Sequence, residues 1–314
     1  MRFLQIPVRL TIQEDFGIKL INNVNSDLKQ QKTDFVNTLI KYDPEWALVS
    51  NEEYKEIFNT DNKITSIDDD TFVFKIPVII LDTSKYLNFM KTYLETKYGV
   101  QFEQGKVSSI KNHQNKITGI KFIDNQQNHW SLENHDEYVI WAGFESIELG
   151  KMIGIKVPIY GFKGYSINWY VKPEKMINDS CMIFPDKIWA TVMKSGVENM
   201  VRITAYGDLE GNDLTANNKR VQQIINAAKE MFGEDSYEES KASHWVGLRP
   251  VTPDDIPIIG QSSKFRNLHW NTGHGARGVM ESTSSCKLLS NLMNDESIHE
   301  EINPDYYDPL RFNM

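Results

Sequence analysis

Two periods of apolar residues run along this chain. Between residues 71 and 82 the run Thr-Phe-Val-Phe-Lys-Ile-Pro-Val-Ile-Ile-Leu-Asp is apolar almost throughout, which predicts a buried, extended segment. A helix should follow it. Asp82, Thr83 or Ser84 can cap its start, Leu87, Met90, Leu94 and Tyr98 share one face, and Gly99 can end it. Short strands are predicted at Val100–Phe102, Lys106–Ile110, Ile117–Phe122 and His129–Leu132, joined by polar turns. Residues 137–142 then read as a buried strand entering Gly143, and a short helix over 145–153 is stopped by Gly154. From 159 to 207 apolar and polar positions alternate, most clearly over Tyr165–Val171 and Met200–Tyr206. That pattern predicts an antiparallel sheet with one wet face. A helix over 216–232 carries Val221, Ile224, Ile225, Ala228 and Phe232 on one stripe, with Gly233 after it. A last helix covers 280–293, and Asp305–Met314 reads as a surface tail. Residues 18–58 are polar, with helical pieces broken at Pro44.

Composition narrows the function classes. The chain has 314 residues, enough for one large or two ordinary domains. Its formal charge of −9 argues against nucleic acid as the main partner, because phosphate binding needs a basic surface. No apolar run approaches the roughly 20 residues of a spanning helix, so no membrane span is expected. Cys181 and Cys286 are the only cysteines, which fits a reducing compartment rather than a disulfide framework. The reading is cytoplasmic. The alternative is mitochondrial, because Arg2 and Arg9 precede the first acidic residue, Glu14. The histidines are scattered, and no His/Cys cluster has metal spacing, so no metal site is expected.

The chemistry concentrates late in the chain. Gly247-Leu248-Arg249-Pro250, Thr252-Pro253-Asp254, Pro257-Ile258-Ile259-Gly260 and Asn271-Thr272-Gly273-His274-Gly275 follow one another in a single stretch. By themselves, an arginine before a proline can bridge two strands and a Gly-His-Gly turn before a helix can be an ordinary tight turn. The four motifs in this order resemble the C-terminal segment of the FAD-dependent D-amino-acid dehydrogenase and glycine oxidase (DAO) family. Earlier segments resemble the same family: Ala142-Gly143, Gly154-Ile155, Pro158-Ile159-Tyr160 and Lys163-Gly164-Tyr165-Ser166. The resemblance covers residues 70–293.

That resemblance implies an α+β fold, with a partial FAD-binding α/β layer and an antiparallel-sheet substrate domain. The flavin side would take residues 70–155 and 245–295, the substrate side 1–69 and 156–244, and 296–314 would form a C-terminal tail. It implies FAD as cofactor and a small amino acid or amine as substrate. Arg249 would clamp the substrate carboxylate, and Tyr165 either reaches the cleft or packs across strands. Ala142, Gly143, Gly273, His274, Gly275, Ala276, Gly278 and Val279 would line the flavin. His274 would orient the turn rather than act as a base.

Three features depart from the family pattern. Asp255 stands where the family has a turn glycine. Glu281 puts a carboxylate in the first turn of the last helix, with Ser284-Ser285-Cys286 in place of a Gly-Ser-Gly patch. No Gly-x-Gly-x-x-Gly turn is present to hold a pyrophosphate, and Gly17 is the only glycine before Gly99. Two readings follow. Either the protein is an oxidoreductase whose flavin site is completed by a second chain or a larger assembly, or whose sequence is a truncated version of a longer product, or it is a non-catalytic structural subunit that keeps the fold without the cofactor. A small-ligand module without redox chemistry is a third.

Overall fold

The computed structural model describes residues 13–21, 47–48, 72–172, 181–183, 189–193, 200–232 and 243–314. The predicted helical pieces around Pro44 and the basic start of the chain lie outside them. The fold mixes helices with largely antiparallel sheet, as expected. Two compact units divide the chain. One draws on residues within 1–100, 164–206 and 215–246, the other on 101–163, 207–214 and 247–314.

In the first unit, β1 (Gln13–Ile21) pairs along its length with β3 (Phe72–Ile80), and β2 (Ala47–Leu48) lies on the other edge of β3. The apolar run at 71–82 is therefore a strand. Helix α1 (Thr83–Tyr98) follows. Asp82 caps it by accepting from the Lys85 N–H at 3.1 Å, and Gly99 ends it in the left-handed region at φ 66°. Its face differs from the predicted one. Tyr86, Phe89, Met90, Tyr93 and Leu94 are half-buried, while Leu87 and Tyr98 stay 64% and 49% exposed. Three aromatic rings, two of them stacked 5.9 Å apart, carry more apolar area than Leu87 and turn the stripe toward themselves.

The large sheet has the order β12-β8-β11-β10-β9-β1-β3-β2, where β8 is Tyr160–Tyr170, β9 Cys181–Ile183, β10 Trp189–Met193, β11 Met200–Asp208 and β12 Ser243–Val251. β11 alternates as predicted, with Val201, Ile203 and Ala205 buried and Arg202 and Thr204 less so. The wet face predicted for β8 is corrected, because every residue from Lys163 to Ile167 is buried. A polar side chain in such a strand needs a partner rather than water. Helix α3 (Asn218–Phe232) buries Ile224 and Ala228 completely. It follows helix α2 (Ser146–Met152), which belongs to the second unit.

The second unit holds two small sheets. β4 (Lys106–His113), β5 (Lys116–Ile123) and β6 (His129–Glu133) form a meander. No strand forms at 100–102, because β4 finds its partner in β5 only from Lys106 onward. The second sheet has the order β13-β14-β7, where β7 is Tyr138–Ile140, β13 Ile258–Gln261 and β14 Leu268–Thr272. β7 runs parallel to β14 and is shorter than predicted, since the chain turns into a 3-10 helix over Gly143–Glu145. Trp270, Ile258, Leu268, Ile140, Ile155 and Val157 form the core here. Helix α4 (Gly278–Met293) lies against β13 and β14.

The predicted surface tail is also corrected. The C-terminal residues are docked: the Ile259 N–H donates to the Tyr307 carbonyl at 2.8 Å and the Ser263 N–H to the Met314 carbonyl at 2.6 Å. Pro309 and Met314 are buried. β13 would otherwise leave backbone groups unsatisfied on that edge, and the C-terminal segment supplies their partners.

Candidate active site

Parallel strands place their C-terminal ends side by side, and ligands collect there in α/β sheets. β7 and β14 do this in register, Tyr138 opposite Leu268 and Ile140 opposite Trp270. The turn after β7, with Ala142 and Gly143, is thereby brought to the turn after β14, with Gly273, His274 and Gly275. Thr272 ties them together. Its hydroxyl donates to the Gly143 carbonyl at 3.1 Å and lies 3.0 Å from the Ser146 hydroxyl.

The end of β12 joins the same place. Val251 and His274 form an antiparallel bridge, and the Gly275 N–H donates to the Pro250 carbonyl at 2.9 Å. Arg249 therefore lies two residues before Val251, the strand end bridged to the Gly-His-Gly turn. Gly273 has φ 82°, and a Cβ there would lie 2.6 Å from Thr252 Cγ2, so only glycine lets the turn pass this closely.

Electrostatics sharpen the picture. Burial pushes the pKa of the Arg249 guanidinium down, and its carbon lies 6.0 Å from the centre of the Phe162 ring. Burial also pushes His274 below its ordinary value, with Glu281 acting upward and Arg277 downward. His274 Nε2 is buried with no hydrogen-bond partner, as is Glu281 Oε2.

A cavity of about 550 Å³ opens beside these elements, with Ile159, Tyr160, Phe162, Leu209, Thr252 and Ala276 among its walls. It is mostly apolar, with Asp255 and Arg277 on its rim. Gly278 and Val279 begin α4, and Val279 and Met280 are 56% and 74% exposed. Tyr165 is buried on β8 and belongs to the first unit, whereas every other predicted site residue belongs to the second.

Arg277 was missed in the sequence, and it accounts for two of the departures. Its guanidinium donates to Asp255 Oδ2 at 2.8 Å, to the Asp255 carbonyl at 2.6 Å and to Glu281 Oε1 at 2.7 Å. Asp255 has φ 58°, a left-handed conformation that Asp tolerates better than most residues, so it can occupy a glycine position. The charge that Glu281 brings to the helix start is offset by the same guanidinium. The bulkier 284–286 stretch is accommodated too: Ser284 and Ser285 fold back onto helix carbonyls, and Cys286 carries a free thiol. The signal for this triad was the pair of departures themselves, read together with Arg277 rather than singly.

The residues present fit the ring end of a flavin: a glycine turn with close backbone approach, a helix start whose N-cap supplies no side chain, and an orphaned buried imidazole nitrogen. Among the described residues, no group of three or more His, Cys, Asp or Glu is placed to hold a metal ion, and no helix is long and apolar enough to cross a membrane.

Known proteins resemble the chain in sequence and in fold. The sequence profile of the family described as DAO, FAD dependent oxidoreductase, matches residues 33–292. Among solved structures, L-proline dehydrogenase from P. horikoshii aligns with a TM-score of 0.73 and 17% identity, over 96% of this chain and 78% of that one. Glycine oxidase from Geobacillus kaustophilus aligns at 0.72 and 17%, over 95% and 75%. Iminodiacetate oxidase from Chelativorans sp. aligns at 0.71 and 16%, over 96% and 77%.

Proposed function

The chain belongs to the DAO family of FAD-dependent oxidoreductases, and from that membership we propose that it binds FAD and oxidises a small amino acid or a related amine. The observation that supports the reading is the hydrogen-bonded junction of Pro250 and Val251, which follow Arg249 in the chain, with His274 and Gly275 of the glycine turn. Gly273, His274, Gly275 and the first turn of α4 would hold the ring, and Ala142 and Gly143 would close its other side. FAD, when bound, would supply the acceptor for a hydride leaving the substrate's α-carbon.

The protein's own part is positional. Arg249 binds the carboxylate bidentately and fixes the α-carbon. Ile159 and Phe162 are apolar walls of the cavity, and a drier cleft would strengthen that pairing. The helix start favours negative charge at the polar edge of the ring, and the Arg277 bridge keeps Glu281 from opposing it. His274, its pKa lowered by burial, stays neutral at pH 7 and offers one ring nitrogen there.

The absent Gly-x-Gly-x-x-Gly turn favours a second reading, a structural subunit without cofactor. One experiment separates the two. Purified protein is titrated with FAD, and flavin absorbance co-eluting with the chain is followed before and after addition of small amino acids. Bound flavin bleached by an amino acid supports the oxidoreductase. A colourless chain after saturation with FAD refutes it, unless a second chain restores binding. In the active form, Arg249→Met should raise the Michaelis constant by about 10- to 100-fold, the worth of a charge-assisted pair, with a smaller effect on kcat.

A further inference from the structure

Four successive residues at the start of β8 are all committed to one short loop. Near the end of β11 stands Tyr206, whose φ of 59° is rare for an aromatic residue. The segment after it runs through Gly207 and Asp208, the last residues of the strand, and then as a loop through Leu209, Glu210 and Gly211 to Asp213. On β8, the Tyr160 hydroxyl accepts from the Gly211 N–H at 3.1 Å. Gly161 leaves room for the Gly211 carbonyl, which a Cβ at 161 would meet at 2.9 Å. The Phe162 ring lies against Gly207, where a Cβ would strike it at 2.0 Å. Lys163, only 1% exposed, pairs its ammonium with Glu210 and reaches Asp213 Oδ2 at 3.6 Å.

An ammonium is costly to bury, and a strand buried on both faces gives it no water. The two carboxylates it meets are on the loop and are 39% and 53% exposed, so the loop comes to the lysine. The same loop carries Leu209 into the wall of the 550 Å³ cavity, beside Tyr160 and Phe162.

We infer that residues 207–213 form a strap over the cavity and that Lys163 is its positioning residue, holding Leu209 as the wall against which the apolar part of a carboxylate-bearing ligand lies. The inference deepens the proposed function and rests on it for the identity of the ligand. The strap itself is tested without any flavin.

The test is local. Glu-C protease cleaves after glutamate, so the Glu210–Gly211 bond reports opening of the strap, and hydrogen exchange at the Gly211 amide reports it independently. Lys163→Met should speed both at least about tenfold, while exchange over 116–123 and 268–272 stays unchanged. Lys163→Arg should restore most of the protection. Tyr160→Phe, at a half-exposed position that leaves folding intact, should loosen the Gly211 amide in the same direction. Unchanged cleavage and exchange in Lys163→Met and Tyr160→Phe would overturn the inference. So would a uniform rise across the whole chain, which would make Lys163 a structural residue only. Should Lys163→Met fail to fold, Tyr160→Phe alone decides. Local loosening in a chain that takes up no FAD leaves the strap standing and removes only the redox reading.

Discussion

Arg277 joins two residues that each look like a loss when taken singly. Asp255 costs the turn a glycine, and Glu281 puts charge at a helix start, yet one guanidinium satisfies both. Glycine matters elsewhere in the site, and the demands differ by position. At Gly273 a positive φ coincides with a contact at 2.6 Å, whereas at Gly275 the nearest atom to an added Cβ lies at 3.5 Å. Gly273→Ala should therefore cost both strain and overpacking, about 3 kcal/mol, and Gly275→Ala strain alone, about 1 kcal/mol. Urea unfolding of the two variants checks the order, and equal losses would refute the argument. Arg249 and the glycine turn were legible in the sequence because each motif is contiguous. The Asp255–Arg277–Glu281 triad was not, because its meaning lies in a contact between residues 22 positions apart.

The hairpin of β5 and β6 shows what local sequence can specify. Asp124 accepts from the Gln126 and Asn128 N–H groups at 2.8 Å each, from the Asn128 side chain at 3.0 Å and from Trp130 Nε1 at 2.9 Å. These bonds, led by Trp130 and Asn128, hold its pKa down at about 2 against an ordinary 3.8. The sign follows from the direction. The folded value is below the unfolded one, so the turn's stabilisation is complete above 3.8 and is lost as pH falls toward 2. The Trp130 indole N–H resonance should move with an inflection near 2, and Asp124→Asn should abolish it. An inflection near 3.8 in the native protein would contradict the bonding described. Caps and turns of this kind were readable, as at Asp82 and Gly99. The buried character of β8 was not, because alternation along one strand does not reveal that both its faces are covered.

At the scale of the whole molecule, the site is assembled from segments far apart in sequence, and the last of them is the C-terminus. Arg311 donates to Asp254 Oδ2 at 2.9 Å, to the Ile256 carbonyl at 2.7 Å and to the Pro257 carbonyl at 3.2 Å. It thereby fixes the turn that leaves β12, and that turn lines the cavity through Thr252, Pro253 and Asp255. A polar sequence ending in single Leu and Phe residues looks like a tail, because its partners lie more than fifty positions upstream. Its contribution is a brace. Arg311→Met removes the guanidinium that lies over Phe312 and its bonds to Asp254, Ile256, Pro257 and Asp308, at a cost of about 2–3 kcal/mol. Because the brace acts on the turn, hydrogen exchange over 252–257 should rise more than exchange in the core strand β14. Whatever ligand the cavity takes should bind more weakly even at temperatures where the variant remains folded. Unaltered exchange over 252–257 in a folded Arg311→Met protein would show that the turn stands without the C-terminus.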